Sequence, residues 1–456
     1  SGLVLANCAL LVIAGLVVRS TPALGRGALG LMCLPLLIRA LGSRASAVTA
    51  NSLRFQAGLS ARQLFLGAAA SHALMLLAGS LGATLWLIGT ALTTAFLAAA
   101  TLGILAGMSV RAFLSVEAQL LPRRVRDGWV SEASTLGALG LGLQRTTWWP
   151  LAILGACLAG AHAIGSNSPI AHGGVLGLLL AIATLLGPSA LYLGESCFAA
   201  ISENVHRIVG LRRGRFEPHA RARSDEFGQL GLLFGHWGHI QSVLGGTAAA
   251  LLTAVMLPSI PLASPLDGAI GMGHPIVVLG GLTGAASLLF HLGSALPISG
   301  RAVHVVRGDV GERLGDETVE RAETAIVPSY RQSIQLAATA ATQSLLRSSA
   351  LVLLAPVLFG VVLRLVFGGG SGRLAAQGLM AFASTAALTG CSAALAAEGM
   401  ALALRASRQH PPSHDRGPAL DPRSARECAG RSIGSSALIG LKTAVIASLV
   451  IAPALF

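Results

Sequence analysis

Residues 171–200 read AHGGVLGLLLAIATLLGPSALYLGESCFAA, and Glu195 is the only charged residue in this stretch. A helix needs about 20 predominantly apolar residues to cross the hydrocarbon core of a bilayer. The stretch is longer than that, so it predicts a membrane-spanning helix that tilts or projects beyond the bilayer.

Similar stretches recur along the chain. We predict spans at 3–18, 24–41, 63–80, 82–109, 136–164, 171–200, 228–257, 275–299, 333–367, 376–404 and 433–456. The composition agrees, because 11% of the 456 residues are charged whereas soluble domains carry roughly 25%. The mean hydropathy is +0.71. The predicted fold is all-α, a polytopic transmembrane helical bundle of about 11 membrane-spanning helices.

The charged residues are concentrated in alternate loops. Arginines cluster after spans two, four, six, eight and ten, while intervening loops such as 165–170 and 258–274 are nearly uncharged. Positively charged loops mark the cytoplasmic side, so we expect the N-terminus inside and the C-terminus outside. The same bias explains the formal net charge of +13 without a nucleic-acid partner. We expect an integral protein of a bacterial inner (cytoplasmic) membrane.

No stretch indicates a separate soluble domain, so residues 1–456 are predicted to form a single integral membrane domain. The polar, proline-containing loop 405–432 is expected to be mobile. The loop 300–327 has apolar positions among its charges, which predicts that it extends span nine as a helix into the cytoplasm. The sequence opens on an apolar run with no charged segment before it, so no cleavable signal is expected.

A few ionisable residues fall inside the predicted spans, where they are costly and are candidates for function. Glu195 and Glu203 lie towards the end of span six, Glu398 lies in span ten, and Lys442 lies in span eleven. Glu195, Glu398 and Lys442 are predicted to form an ion-pair or proton-relay pathway. Snorkelling or a structural salt bridge would explain the same residues without a transport role.

Metal sites are not indicated. His236 and His239 are three residues apart in span seven, which is a weak metal pattern, and histidines inside bundles more commonly bond to neighbouring helices. The six cysteines have no metal spacing and no paired framework.

The C-terminal residues 441–453 read LKTAVIASLVIAP and resemble the last helix of the membrane-bound, ion-pumping pyrophosphatases. The resemblance extends backwards through Pro328–Pro356, through Phe198–Asn204 with its Ser-Glu-Asn sequence, and through Ser224–Phe227. Residues 115–456 follow the family in order, whereas residues 1–114 match weakly. The resemblance implies pyrophosphate hydrolysis coupled to proton or sodium translocation, with Mg²⁺ as cofactor.

The departures from the family fall on the residues that would do this chemistry. The family holds Mg²⁺-pyrophosphate through repeated acidic motifs, since several metal ions each need carboxylate ligands. The stretch 58–72, where one such motif is expected, contains no acid. The polar matches that remain are Glu203, Asn204, Asp225 and Glu427, which are vestigial catalytic candidates, together with Lys442 at the position of the family's gate-region lysine.

These observations leave three functions to compare. The first is a catalytically degenerate family member that needs no cofactor and acts as a structural or partner subunit, in a homo-oligomer such as a dimer or beside another membrane protein. The second is an active pyrophosphate-energised ion pump that uses Mg²⁺. The third is a passive or secondary ion transporter that uses Glu398 and Lys442.

Overall fold

The computed structural model describes residues 26–52, 61–88, 90–126, 140, 142–168, 173–211, 217–256, 274–320, 331–367, 372–406 and 422–455. Within these ranges the regular secondary structure is entirely helical. The α-helices are α1 (Arg26–Ser52), α2 (Ala61–Ile88), α3 (Thr90–Arg126), α4 (Trp148–Ser166), α5 (Gly173–Leu186), α6 (Ser189–Leu211), α7 (Pro218–Met256), α8 (Pro275–Glu320), α9 (Arg331–Phe367), α10 (Gly372–Ala406) and α11 (Pro422–Leu455). A π-helical turn, Gly142–Thr147, precedes α4.

Eight stretches of the described chain are long and apolar enough to cross a membrane. They are Gly67–Trp86, Thr94–Glu117, Leu143–Ser166, Gly173–His206, Pro275–Leu296, Ser349–Val366, Leu374–Leu404 and Ile433–Ala452. The all-α, polytopic membrane fold is therefore confirmed. Predicted spans 24–41 and 228–257 coincide with α1 and α7 but are not among the eight, and span 3–18 lies outside the described residues. The number of spans and the orientation of the termini stay predictions.

The predicted span 171–200 is divided into two helices. α5 ends at Leu186 and α6 begins at Ser189 after a turn at Gly187 and Pro188. Proline has no N–H to donate to the preceding turn and its ring clashes with the helix backbone, so a continuous helix is unfavourable here. The amide of Gly187 instead bonds to the Thr184 carbonyl at 3.1 Å.

Two loop predictions need correction. Residues 301–320 are helical, but they continue α8, which belongs to span eight, and do not extend span nine. The prediction was wrong because the apolar spacing inside the loop shows that it is helical without showing to which neighbour it is joined. In the loop 405–432, residues 422–432 form the beginning of α11, and residues 407–421 lie outside the described part.

The chain divides into two compact units. The first comprises the described residues within 1–119 and 148–252, and the second those within 120–147 and 253–456. The prediction of a single membrane domain stays a prediction.

In the first unit, α5 is almost completely buried and packs against α1 and α4. α1 also packs against α2 and α6. Glycine allows the closest approach: a Cβ on Gly42 in α1 would lie 2.8 Å from the carbonyl carbon of Gly187. Such a side chain would collide with backbone, so the turn between α5 and α6 depends on a glycine in α1.

In the second unit, α10 is the shared packing partner of α8, α9 and α11. A Cβ on Gly284 of α8 would lie 2.8 Å from the carbonyl carbon of Phe382 in α10, so the two backbones are nearly in contact. Small residues at helix interfaces permit this close packing in membranes, where apolar lipid weakens the hydrophobic drive for association. Phe382 also stacks on Phe359 of α9 with ring centroids 5.6 Å apart.

Candidate functional site: two buried polar clusters

The first unit contains a buried ion pair that joins α3 to α6. The Nη2 group of Arg111 donates to Oε1 of Glu195, 84 residues later in the chain, and each side chain is 3% exposed. Removing two charges from water is costly, and their mutual attraction offsets this cost only with good geometry and additional partners. The surroundings of the pair therefore decide what it can do.

Aromatic rings provide part of those surroundings. The guanidinium carbon of Arg111 lies 4.1 Å from the ring centroid of Trp237 in α7 and 5.6 Å from that of Tyr192 in α6. A cation over an aromatic face is attracted to the negative face of the ring, most strongly for tryptophan. Arg111 therefore has a second set of favourable contacts that does not involve Glu195.

Gln241 of α7 closes the cluster. Its amide nitrogen donates to the carbonyl of Gly107 at 3.0 Å and lies 3.2 Å from the Tyr192 hydroxyl oxygen. Several polar atoms nevertheless lack a hydrogen-bond partner among the described residues: Nε of Arg111, Oε2 of Glu195, Nε1 of Trp237 and Oε1 of Gln241. A buried polar atom without a partner loses its hydration without replacement, so this concentration of such atoms marks an unusual site.

A small cavity adjoins Arg111. His72, Arg111 and Thr184 contribute its polar lining, and the remaining lining is apolar. Nε2 of His72 lies 3.0 Å from Oγ of Ser46 and 3.1 Å from the Gly42 carbonyl oxygen. Ser46 already donates its hydroxyl proton to that carbonyl, so we assign the ring hydrogen of neutral His72 to Nε2 and leave Nδ1 as an acceptor.

The second unit also contains a deeply buried acid. Glu398 of α10 is 3% exposed, and its Oε1 lies 3.5 Å from the position that a Cβ would occupy on Gly434 of α11. Lys442 is eight residues further along α11, which is about 12 Å along a helix axis. Glu398 and Lys442 therefore lie at different levels of the α10–α11 pair.

Side-chain hydrogen bonds also link helical segments of the second unit. Nε2 of His291 in α8 lies 3.1 Å from the carbonyl oxygen of Ser436 in α11. Thr146, in the π-helical turn, donates its hydroxyl to the Leu395 carbonyl of α10 at 3.0 Å. Polar side chains thus form inter-helix contacts at Leu395, before Glu398 in the sequence, and at Ser436, after it.

The vestigial catalytic candidates lie towards the C-terminal end of α6 and the N-terminal ends of α7 and α11. Asn204 is exposed, and Glu203 is half-buried. Oδ1 of Asp225 lies 3.2 Å from Nδ1 of His206, so this carboxylate faces a histidine from the neighbouring helix. Glu427 lies in the first turns of α11.

A Mg²⁺ site for pyrophosphate requires several converging oxygen ligands. Among the described residues there is no group of three or more His, Cys, Asp or Glu side chains that could hold a metal ion. The described acids near α6 and α7 therefore do not fit the metal set that the family resemblance implies. His236 is buried and His239 is exposed, and their metal binding stays a prediction.

The predicted pathway residues Glu195, Glu398 and Lys442 are divided between the two units, and their joint role stays a prediction. The sequence analysis misses the partner of Glu195, because the predicted span four ends at 109 and Arg111 therefore falls outside the predicted spans. α3 in fact continues to Arg126. The signal available in the sequence was an isolated arginine between apolar residues, MSVRAFL at 108–114.

Comparison with known proteins decides the family. A family profile described as inorganic H⁺ pyrophosphatase matches residues 2–407. The chain belongs to this family. The match includes residues 2–114, where the sequence motifs matched weakly.

A more distant similarity links the chain to a named relative. It is similar to the K(+)-insensitive pyrophosphate-energized proton pump 2 of Moorella thermoacetica, with 23% identity over 238 residues. The matched segment covers 50% of this chain and 33% of the relative. The predicted membership in the membrane pyrophosphatases is thereby confirmed.

Proposed function

We propose that this chain is a catalytically degenerate member of the proton-pumping pyrophosphatase family. It acts as a structural or partner subunit of a membrane complex, in the bacterial cytoplasmic membrane that its Moorella relative suggests. It pairs with a second copy of itself or with another membrane protein. It retains the helical scaffold of the family but lacks most of the acidic residues of the active site.

The observation that carries this proposal is the loss of acids at the helix ends that should hold Mg²⁺-pyrophosphate. Arg62 and Gln63 occupy the first turn of α2, within the stretch where the family has a repeated acidic motif. Asp225, one of the retained acids, is directed towards His206. A tetra-anionic substrate needs metal ions to neutralise its charge, and metal-assisted attack by water needs the same ligands.

Buried packing supports the scaffold role. The α8–α10 contact depends on small residues in close backbone approach, and Gly390 of α10 lies close against the Leu441 side chain of α11. This packing maintains a folded helical bundle in the membrane, and it does not depend on pyrophosphate hydrolysis.

The test is phosphate release from pyrophosphate in the presence of Mg²⁺ by the purified protein in lipid vesicles. The Moorella relative, prepared in the same way, is the positive control, because its name describes a pyrophosphate-energised pump. We expect release no faster than from empty vesicles, together with a cooperative thermal transition that shows an intact fold. Chemical cross-linking in the native membrane should then capture either a second copy or another protein.

The alternative function is the active pump, which is favoured by the family match itself. Release that depends on Mg²⁺ and is lost in Glu203→Ala, but kept in the matched control Glu217→Ala, would establish it and overturn the proposal. Glu217 is the suitable control because it is exposed and immediately precedes α7.

A further inference from the structure

We propose that the Arg111–Glu195 pair is a proton-binding site inside the membrane. Glu195 takes up one proton at Oε2, and Arg111 is then held by Trp237 and Tyr192. The inference goes beyond the proposed function, since it requires neither hydrolysis nor a partner protein.

The geometry of Glu195 provides the accepting atom. Oε1 receives the hydrogen bond from Arg111, whereas Oε2 has no hydrogen-bond partner among the described residues. The side chain is 3% exposed, so bulk water does not replace the missing donor. A proton that binds at Oε2 forms an O–H bond and converts the carboxylate to a neutral acid, and no other covalent bond changes.

The aromatic rings explain how the site can exist in both protonation states. When Glu195 becomes neutral, Arg111 loses its counter-charge but keeps the Trp237 face at 4.1 Å and the Tyr192 face at 5.6 Å. Cation–π attraction is stronger at desolvated sites than at exposed ones. The guanidinium therefore has favourable contacts in the protonated state as well as in the ion-paired state.

The groups around Glu195 favour a proton over a metal cation. The titratable neighbours are Arg111 from α3, Tyr192 from α6 and His72 from α2, which shares the adjoining cavity with Arg111. α7 contributes the neutral side chains of Trp237 and Gln241, next to the buried His236. Arg111 repels a metal ion, and one carboxylate does not supply the several oxygen ligands that such an ion needs. A proton needs a single lone pair.

The experiment uses the full chain in lipid nanodiscs and measures infrared difference spectra between neutral and acidic pH. A protonated carboxyl group has its own C=O stretching band. We expect a reversible band on acidification that Glu195→Gln lacks. Glu117→Gln serves as the matched control, because Glu117 is also a buried acid but lies in α3. This variant should retain the band.

Two further variants test the role of the arginine. In Arg111→Gln the band of Glu195 should be present already at neutral pH, because a lone buried carboxylate is unfavourable. If that variant does not fold, Arg111→Lys keeps a charge but loses the planar group over Trp237, and the band should then appear at a different pH from the wild type.

Fluorescence provides an independent readout of the aromatic contact. Replacing Trp86, Trp129, Trp148 and Trp149 with Phe leaves Trp237 as the only tryptophan. Its emission should change with pH at the same midpoint as the infrared band, and Glu195→Gln should abolish the change. A titrating band that survives in Glu195→Gln, or Trp237 emission that does not respond to pH, would overturn the proposal.

Discussion

Glu195 and Glu398 are similarly buried acids that lie in different units, beside different neighbours. In the first unit, an opposite charge and aromatic rings from other helices surround the carboxylate. In the second, Glu398 lies beside a glycine of α11 in an interface of small residues. An ion pair with cation–π contacts surrounds Glu195, whereas α8 and α10 of the second unit approach closely through the backbone at Gly284 and Phe382.

The two kinds of contact tolerate different amino-acid substitutions. Electrostatic compensation depends on both members of a pair, so removing one leaves an uncompensated charge. Close helix packing depends on the small volume of the glycines at the contact, so a substitution that adds one carbon atom destabilises it by overpacking. The ion pair and the close helix contacts should therefore respond to opposite kinds of substitution.

The largest effect is expected in the first unit, from Arg111→Met. Glu195 is then buried without its counter-charge and must take up a proton to stay in the folded protein, and this loss of the ion pair should lower the free energy of unfolding at neutral pH by about 3–5 kcal/mol. Thermal or denaturant unfolding in detergent, followed by intrinsic fluorescence, would measure it. The double variant Arg111→Met/Glu195→Leu should recover most of the loss, because an apolar pair replaces the ion pair. A double variant as unstable as the single one would show that compensation of charge is not what holds this region.

The second prediction addresses close packing in the second unit. Gly284→Ala places a Cβ 2.8 Å from the carbonyl carbon of Phe382 and should cost about 1–3 kcal/mol of unfolding free energy through overpacking. The matched control is Gly293→Ala in the same helix, where nothing lies within 4 Å of the new Cβ. Equal stability of the two variants in the same unfolding assay would contradict close packing of α8 on α10.

A smaller effect is expected for Trp237→Phe. Phenylalanine keeps an aromatic face for Arg111 but has a weaker attraction for cations, so a loss of about 0.5–2 kcal/mol is expected. Trp149→Phe is the control, since Trp149 is largely exposed. Measuring the unfolding free energy of both variants under identical conditions separates the contact with Arg111 from the general effect of replacing tryptophan with a smaller ring. A greater loss of stability in Trp149→Phe than in Trp237→Phe would argue against a stabilising contact between Arg111 and Trp237.

The smallest effect is expected for Thr385→Val. Its hydroxyl lies 2.9 Å from the Gly281 carbonyl of α8, and inter-helix hydrogen bonds in membrane proteins contribute about 0.6 kcal/mol on average. Thr342→Val is the control, because the hydroxyl of Thr342 donates within its own helix to Ala338 at 2.8 Å. The difference between the two variants in denaturant midpoint would measure the contact between α8 and α10.

Much of the helical architecture could be predicted from the sequence, because apolar length is a local property. α9 and α10 coincide closely with the predicted spans 333–367 and 376–404. The break at Gly187–Pro188 was missed because the residues on both sides are apolar, although Pro188 itself was the available signal.

The candidate site was only half predictable. Glu195 could be singled out because an acid in an apolar stretch is conspicuous. Its partner could not be identified, since Arg111 is 84 residues away. The apolar residues around Arg111 single it out, but they do not show with which residue it pairs. The contributions of Trp237 and Gln241 depend on the packing of α7, which no local pattern specifies.

The turn between α5 and α6 also bears on how the chain enters the membrane. α5 has 14 residues and is about 21 Å long, which is shorter than the roughly 30 Å of hydrocarbon that a bilayer presents. The continuous apolar stretch Gly173–His206 has 34 residues and a mean hydropathy of 2.0. The stretch is therefore long and apolar enough to enter the bilayer as one hydrophobic segment, although it folds into two helices that meet at Gly187 and Pro188. The same residues thus meet two requirements, hydrophobic length for the membrane and a proline-marked turn for the fold.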